Sequence, residues 1–597
     1  MNTSAALPAG AWEVGAFVPG SRSTLFDAYY DEAACLVRVP FESPGYHSRV
    51  PTGTLVHPTN TSLCYALDLL HRGRAECDAR AFAIMRKIIP LQDRDPVSPS
   101  YGIWSWLYEE PIAQMDPPDW NWADFCGFRL AQIITLAGPR LPADLLALAR
   151  ESLYHAAGCI YRRNVLPHYT NICVMGGLVT TMAGEILQEE RLLAYGRRRL
   201  AHAAETHRNH GGFNEYNSPT YTRVVLWDCE QALDLIRDEA ARASALYLFR
   251  SAWQVVASHF HPATGQWAGP HCRDYTSFLV REMALYLAFK TGVKIRVSPL
   301  APLTTRVSPL IGWAVEAHGS PNATAPESFS AVHFNPRGLR CPADLIERFR
   351  ALPSAEYEFR ERYVLREKKS DSIWGTTWMH EEACLGSVNH DSFMDQRRVL
   401  LGYWNAPSGA PGALRLRFLR DDREFAAAHV HNAQSGTRIL SAAHLVLGHG
   451  PFNPYLEIPP GDIFSAEDFR LRYELRGDDV TARKIPGGFA LSSGAWEAAI
   501  TTAEGSFNHQ PIAWQITEGD GWVAVDAICY FGPRRDFPFR ELPPLALASA
   551  LHLRRTGEES EPSPVELEYH PAEKTISARW QSHQLTVPDH AITLPKS

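Results

Sequence analysis

Ala143 to Asn164 reads ADLLALARESLYHAAGCIYRRN, and Leu414 to Phe418 reads Leu-Arg-Leu-Arg-Phe. In the first stretch apolar residues recur at i, i+3, i+4 and i+7, the spacing of one helix face. In the second they fall at every other position, the spacing of a strand. The chain passes once from the first pattern to the second, and that passage decides the fold. Outward from Ala143, the helical pattern returns in TSLCYALDLLHRG from Thr61, WADFCGFRLAQIITLAG from Trp122 and NICVMGGLVTTMAGEILQ from Asn171. It continues in RLLAYGRRRLAHAAETH from Arg191, VVLWDCEQALDLI from Val224, ARASALYLFRSAWQVVASHF from Ala241 and SFLVREMALYLAFKTG from Ser277. Successive helices with short connections imply helical hairpins, either stacked as a solenoid or curled into a toroid. No fixed-period repeat is visible, which disfavours a solenoid.

Residues 294 to 353 are rich in proline and read mainly as a transition. Beyond them the strand period takes over. It is seen again in Phe469 to Leu475, in IAWQITEGDGWVAVDAICYF from Ile512, in SALHLRR from Ser549 and in KTISARWQSHQLTV from Lys574. Turn signals such as RGDD, SGAW and EGDGW separate these runs. Many strands and little helix imply an antiparallel sandwich. The expected fold class is multidomain α+β: an N-terminal (α/α) toroid over 1–340, then a C-terminal antiparallel β-sandwich over 341–597.

Composition narrows the function. With 597 residues, two or more domains are expected. The formal net charge is −8 and no block of basic residues occurs, which excludes nucleic acid as a bulk electrostatic partner. A local Arg/His cluster can still bind an acidic substrate. The 16 Trp and 22 Tyr suit sugar stacking as well as core packing. The 11 cysteines form no CxxC pair and lie mostly in apolar runs, so buried free thiols are expected rather than a disulfide framework or a zinc cluster. The start, MNTSAALPAGAWEVGAF, lacks a basic, apolar leader, and no apolar run approaches membrane-spanning length. The expectation is a cytoplasmic protein with no membrane partner. The sequence says nothing of the oligomeric state.

Five polar clusters interrupt the apolar pattern. Gly211 to Thr222, GGFNEYNSPTYT, sets Glu215, Tyr216, Asn217 and Tyr221 on a turn just before a helix. That is how rigid scaffolds present binding and catalytic groups, although Asn217, Ser218 and Thr220 also read as helix caps. DWNWADF places Asn121 and Trp122 at a helix start, as a sugar platform or as a cap with core tryptophans. RRNVLPHYTNIC offers His168 and Asn171, with capping again the competing account. GPHCRDY holds His271, Arg273 and Tyr275, a loop suited to an anion. In the strand region, GSVNHDSFMDQRRVLLGYWN carries His390, Asp391, Arg397 and Arg398, and AAHVHNAQSG carries His429 and His431. Residues two apart share one strand face, so His429 and His431 can serve one metal together with His390, although solvated histidines explain the same pattern. No GxGxxG, P-loop, HExxH or GxSxG motif is present.

The order of HPTNTSLCYALDLLHRG, DWNWADF, YTNICVMGG, EYNSPTY, GPHCRDY and GSVNHDSFMDQRRVLLGYW resembles the heparinase II/III-like polysaccharide lyases, which join an (α/α) toroid to a β-sandwich. The resemblance spans most of the chain and is closest to members acting on glycosaminoglycans and alginate. It implies β-elimination beside a uronic acid. The substrate carboxylate is neutralised so that an enolate can form. A Tyr or His takes the C5 proton, and a Tyr hydroxyl protonates the leaving oxygen. An unperturbed tyrosine titrates near pH 10, so a nearby positive charge is needed for it to act as a base.

Carried over residue by residue, the resemblance makes Asn171 the carboxylate neutraliser and Tyr221 the acid and also a candidate base. His390 becomes a catalytic or metal-binding histidine. Asn121, Trp122, His168, Glu215, His271, Arg273, Tyr275 and Arg397 become the substrate-binding set. A divalent metal (Zn, Mn or Ca) on His390, His429 and His431 is the cofactor this reading admits, though none is required by the motifs. Relatives carry paired histidines and a later Asp where this chain has NHDSF followed by LLGYWN. Two rival functions share these residues. A glycoside hydrolase would pair Glu215 with Asp124 or Asp391, and a glycan-binding protein would keep only the cleft.

Overall fold

In a computed structural model, the structure describes residues 12–14, 25–41, 43, 47–274, 276–298, 338–364, 373–390, 397–447, 463–542, 544–558 and 563–593. The helices are α1 (Thr59–Arg72), α2 (Ala75–Ile88), α3 (Trp122–Ala137), α4 (Ala143–Arg163), α5 (Thr170–Leu187), α6 (Glu190–His210), α7 (Tyr221–Leu233), α8 (Glu239–His259) and α9 (Arg281–Thr291). Their ends follow local chemistry. Asp238 opens α8 by accepting the Ala241 N–H at 2.9 Å. Gly211 closes α6 with φ 77°, a left-handed turn that a side chain would strain.

Burial separates the helices into two layers. α3, α5 and α7 are enclosed almost all round, whereas α2, α4, α6 and α8 bury one face and expose the other. α1 packs on α3, α3 on α5 and α5 on α7, and each outer helix packs on an inner one. This is the double layer of an α/α toroid. Each outer helix returns the chain, so the inner helices run in one sense and their N-termini gather at one end.

α2 was not among the expected helices. Its buried residues, Cys77, Ala81, Ile84, Met85 and Ile88, have helical spacing, but alanine and charge dilute the signal. α5 corrects the expectation that no run reaches membrane-spanning length. It meets the criteria of length and hydropathy, yet 83% of it is buried within the protein. Its small residues let α6 approach closely: a Cβ added at Gly184 would lie 2.4 Å from the Leu193 backbone nitrogen.

The strands form two antiparallel layers. One sheet runs, in spatial order, Ala513–Gly519, Trp522–Pro538, Ile463–Arg476, Pro411–Arg420, Leu400–Asn405, Ala383–Val388, Ile373–His380 and Glu356–Val364. The other runs Ala428–Ser435, Arg438–Leu447, Leu545–Arg555, Trp496–Thr502, Gly488–Ser493 and Thr481–Ile485. A single apolar core fills the space between them. The alternating arginines are more buried than a solvated face would allow. Arg415 and Arg417 both reach Glu474, at 2.5 and 3.0 Å, and Arg472 grips Asp526 through two hydrogen bonds. Pairing is what lets these charges leave water.

The first sheet presses on the toroid. A Cβ at Gly386 would meet the Gly269 carbonyl oxygen at 2.0 Å, and Thr377 Oγ1 donates to that oxygen at 2.8 Å. The loop that follows, ending in Arg273, is therefore held between the two domains.

Candidate active site

Three segments meet where the inner helices begin. The turn before α7 places Asn217 in a left-handed conformation, φ 43°. Its amide nitrogen donates to Ala268 O (2.8 Å) and Pro270 O (2.9 Å), and its oxygen accepts Trp267 Nε1 at 2.5 Å. Ser218 Oγ donates to Arg273 O and accepts the Tyr221 N–H at 3.0 Å. Ser218 thus satisfies the first N–H of α7, while Thr220 makes no side-chain cap, and the same Ser218 hydroxyl ties the turn to the Arg273 loop. Asn171, in contrast, makes no side-chain cap on α5.

Glu215 is the hub. It accepts the Asn171 backbone N–H at 2.7 Å, the Asn171 amide nitrogen at 2.8 and 2.7 Å on its two oxygens, and Arg273 Nη1 at 2.9 Å. Arg273 then donates through Nη2 to the Tyr221 hydroxyl at 2.8 Å, with its guanidinium carbon 3.9 Å from the Tyr221 ring centroid. The Glu215 and Arg273 side chains are only 6% and 11% exposed, and Asn171 and Tyr221 are buried. A charge-assisted network enclosed in this way is geometrically fixed. A guanidinium donating to a phenolic oxygen also stabilises negative charge developing there.

Tyr169, not among the expected site residues, lies beside this cluster, its ring centroid 5.8 Å from the Arg273 guanidinium carbon. Its hydroxyl accepts Asn121 Nδ2 at 3.2 Å, and Asn121 Oδ1 accepts Arg163 Nη2 at 3.1 Å. Asn121 is therefore adjacent to the cluster. Arg163 also lies 3.5 Å from Asp124, whose carboxyl is pushed up to about 6 by burial despite Arg163 and Arg199 opposing the shift. Tyr169 is the first residue of the YTNI motif, and Arg163 closes the helix before it, but neither was assigned a role.

Trp122 is a correction: it is 0% exposed, packs against Trp106 and Phe125, and donates Nε1 to Thr59 at 3.0 Å, so it cannot stack on a sugar. His168 is exposed at the turn before α5. His271 is buried, its Nδ1 2.6 Å from Asn217 O, and burial pushes it down to about 3. It holds the loop as a neutral imidazole. Arg397 spends its guanidinium on the carbonyls of Phe425, Ala426 and Ala428, under the second sheet's first strand. Tyr275 and Asp391 lie outside the described residues.

His390, His429 and His431 do come together, joined by His444. Ring centroids of His390 lie 4.4 Å from His431 and 5.8 Å from His429, and His431 Nε2 is 3.1 Å from His444 Nδ1. Desolvation lowers His429, His431 and His444, the last two to about 2 and about 3. Neutral imidazoles keep the lone pairs a metal needs. Yet among the described residues no group of three or more His, Cys, Asp or Glu is arranged to hold a metal ion.

A family model described as "Domain of unknown function (DUF8769)" matches residues 24–297. No curated protein matches the chain. Among solved structures, the chain is similar to heparan sulfate lyase HepC from Pedobacter heparinus at 10% identity, covering 96% of this chain and 91% of that one, with TM-score 0.34. It is also similar to a heparinase III (9% identity, 88% and 82% coverage, TM-score 0.30). A third is the chondroitin AC lyase of Streptomyces coelicolor A3 in complex with chondroitin sulphate (9% identity, 82% and 92% coverage, TM-score 0.26). Function has to be argued from this chain's own site.

Proposed function

We propose that the protein is a polysaccharide lyase that cleaves uronic-acid-containing polysaccharides, glycosaminoglycans or alginate, by β-elimination. The observation that carries this reading is the Tyr221 hydroxyl held at 2.8 Å by Arg273, in one buried network with Glu215 and Asn171. In the reaction, Tyr221 acts first as a phenolate steadied by Arg273: the C5–H bond breaks and its proton passes to that oxygen. The electron pair forms the C4–C5 double bond as the C4–O bond breaks. The departing oxygen takes a proton, which Tyr221 then supplies. No oxidant, reductant or water is consumed.

A hydrolase would need two carboxylates free to flank the bond. Glu215 is instead engaged by two donors from Asn171 and one from Arg273. His390 stays in the reading as a histidine contributed from the sandwich, tested by His390→Ala, which the reading expects to slow turnover. The main test is incubation with alginate, hyaluronan, chondroitin sulfate and heparan sulfate. A lyase gives a product with a new ultraviolet-absorbing unsaturated end. New reducing ends without that absorbance would make the enzyme a hydrolase, and binding without new ends would make it a binding protein.

A further inference from the structure

We infer that Arg273, not Asn171, is the group that meets the substrate's carboxylate, and that Asn171 is a positioning residue acting through Glu215. This rests on the lyase reading and assigns its roles within the network. Asn171 was expected to neutralise the carboxylate through its amide N–H. In the structure that nitrogen sits 2.8 and 2.7 Å from the two oxygens of Glu215. Turning the amide over would set Oδ1 against the same carboxylate, acceptor against acceptor, so Glu215 dictates the orientation. The Asn171 side-chain atom left without a hydrogen-bond partner is the buried carbonyl Oδ1. An acceptor cannot offset a second anion. A substrate carboxylate brought to the Asn171 amide would also share it with Glu215, placing two like charges on one neutral group.

Arg273 has the opposite properties. It carries the positive charge of this network, and Glu215 aims it. Its guanidinium presents five donors in a planar fork suited to carboxylates. It also spans from the face of the Tyr221 ring to the Tyr221 hydroxyl. In a uronic acid the carboxyl carbon is bonded directly to C5. A carboxylate drawn to Arg273 therefore carries the C5–H to the neighbourhood of the Tyr221 oxygen. One guanidinium then serves the enolate's growing charge and the tyrosine that takes the proton. The implied substrate class is a polymer whose uronic acid is free rather than esterified.

The test uses the polymer that the wild type cleaves and the methyl ester of that polymer. For the wild type the account expects kcat/KM for the acid to exceed that for the ester by about 100-fold or more, the scale of losing one charge-assisted contact in a desolvated site. In Arg273→Ala that preference should collapse to within about tenfold, and added guanidinium should restore it in part. Arg273→Lys should keep the preference at lower turnover. Asn171→Ala should slow both substrates alike and leave the ratio unchanged. To guard against variants too slow to assay, calorimetry with acid and ester hexasaccharides repeats the comparison in a Tyr221→Phe background. An Asn171→Ala variant that loses the preference while Arg273→Ala keeps it would overturn the assignment. If the wild type makes no unsaturated product from any of the polymers, the lyase reading itself fails, and the assignment fails with it.

Discussion

Two buried polar regions of this molecule handle charge in opposite ways. At the mouth of the toroid, Glu215 and Arg273 sit almost out of water with Asn171 and Tyr221 and balance each other through short hydrogen bonds. In the sandwich and at the domain junction, histidines are buried too, but burial strips their protons and they pack as neutral rings. The difference is in the neighbours. A carboxylate beside a guanidinium keeps both charges affordable, whereas an imidazole among other imidazoles and carbonyls gains nothing by charging. Chemistry that must stabilise a growing anion belongs in the first region.

The sharpest way to break the contrast is to remove the hub. Glu215→Ala should leave Arg273 uncompensated and Asn171 unheld. Loss of one partner of such a buried pair costs about 3–5 kcal/mol of stability, and misplacing Arg273 should lower turnover by about 10²-fold or more. Denaturant unfolding together with a rate assay checks both. A variant of wild-type stability and rate would mean that the network is ornamental.

The neutral region predicts a pH dependence of definite sign. Folded His261 is lowered to about 4 and His271 to about 3, mainly by desolvation. Unfolded histidines titrate near 6.5, so between those values and about 6.5 the unfolded chain binds the extra protons. Stability should be full above about pH 6.5 and fall as pH drops, by up to about 1.4 kcal/mol per pH unit for each such histidine. Melting temperatures from pH 7.5 to 5 measure this, and His261→Gln should flatten the slope. A curve that stays level down to pH 5 would show that the junction histidines take up protons as readily in the folded chain as in the unfolded one.

A smaller effect separates scaffold from site. Gly184→Ala forces α5 off α6 and should cost about 1–3 kcal/mol. It should leave the acid-to-ester preference untouched, because Gly184 lies in the last turns of α5 while Asn171 lies in the first. A changed preference would mean that the α5–α6 packing sets the geometry of the network.

The fold was readable because period is a local signal. Ala143–Arg163 and Phe469–Leu475 each carry their own periodicity, and the structure makes them a helix and part of a strand. α2 was missed because alanines and charges blur its stripe. The site was half readable. EYNSPTY drew attention to Glu215 and Tyr221 through its density of polar groups and GPHCRDY to Arg273, whereas Asn171 stood out only through the family resemblance. What the sequence could not show is which donor faces which acceptor. That depends on a contact 44 residues long in sequence, Asn171 to Glu215, and on another of 52 between Tyr221 and Arg273. Trp122 misled for a related reason: a tryptophan beside an asparagine looks the same in sequence whether its ring faces a sugar or Trp106.

The most direct test of the central claim is Tyr221→Phe, which keeps the ring beneath Arg273 and removes only the hydroxyl. Assayed by ultraviolet absorbance on the best polymer, turnover should fall by roughly 10²- to 10⁴-fold, the scale of general acid–base catalysis, with melting temperature nearly unchanged. A Phe variant that still produces the unsaturated end at close to the wild-type rate would contradict the account, because the proton would then move without Tyr221.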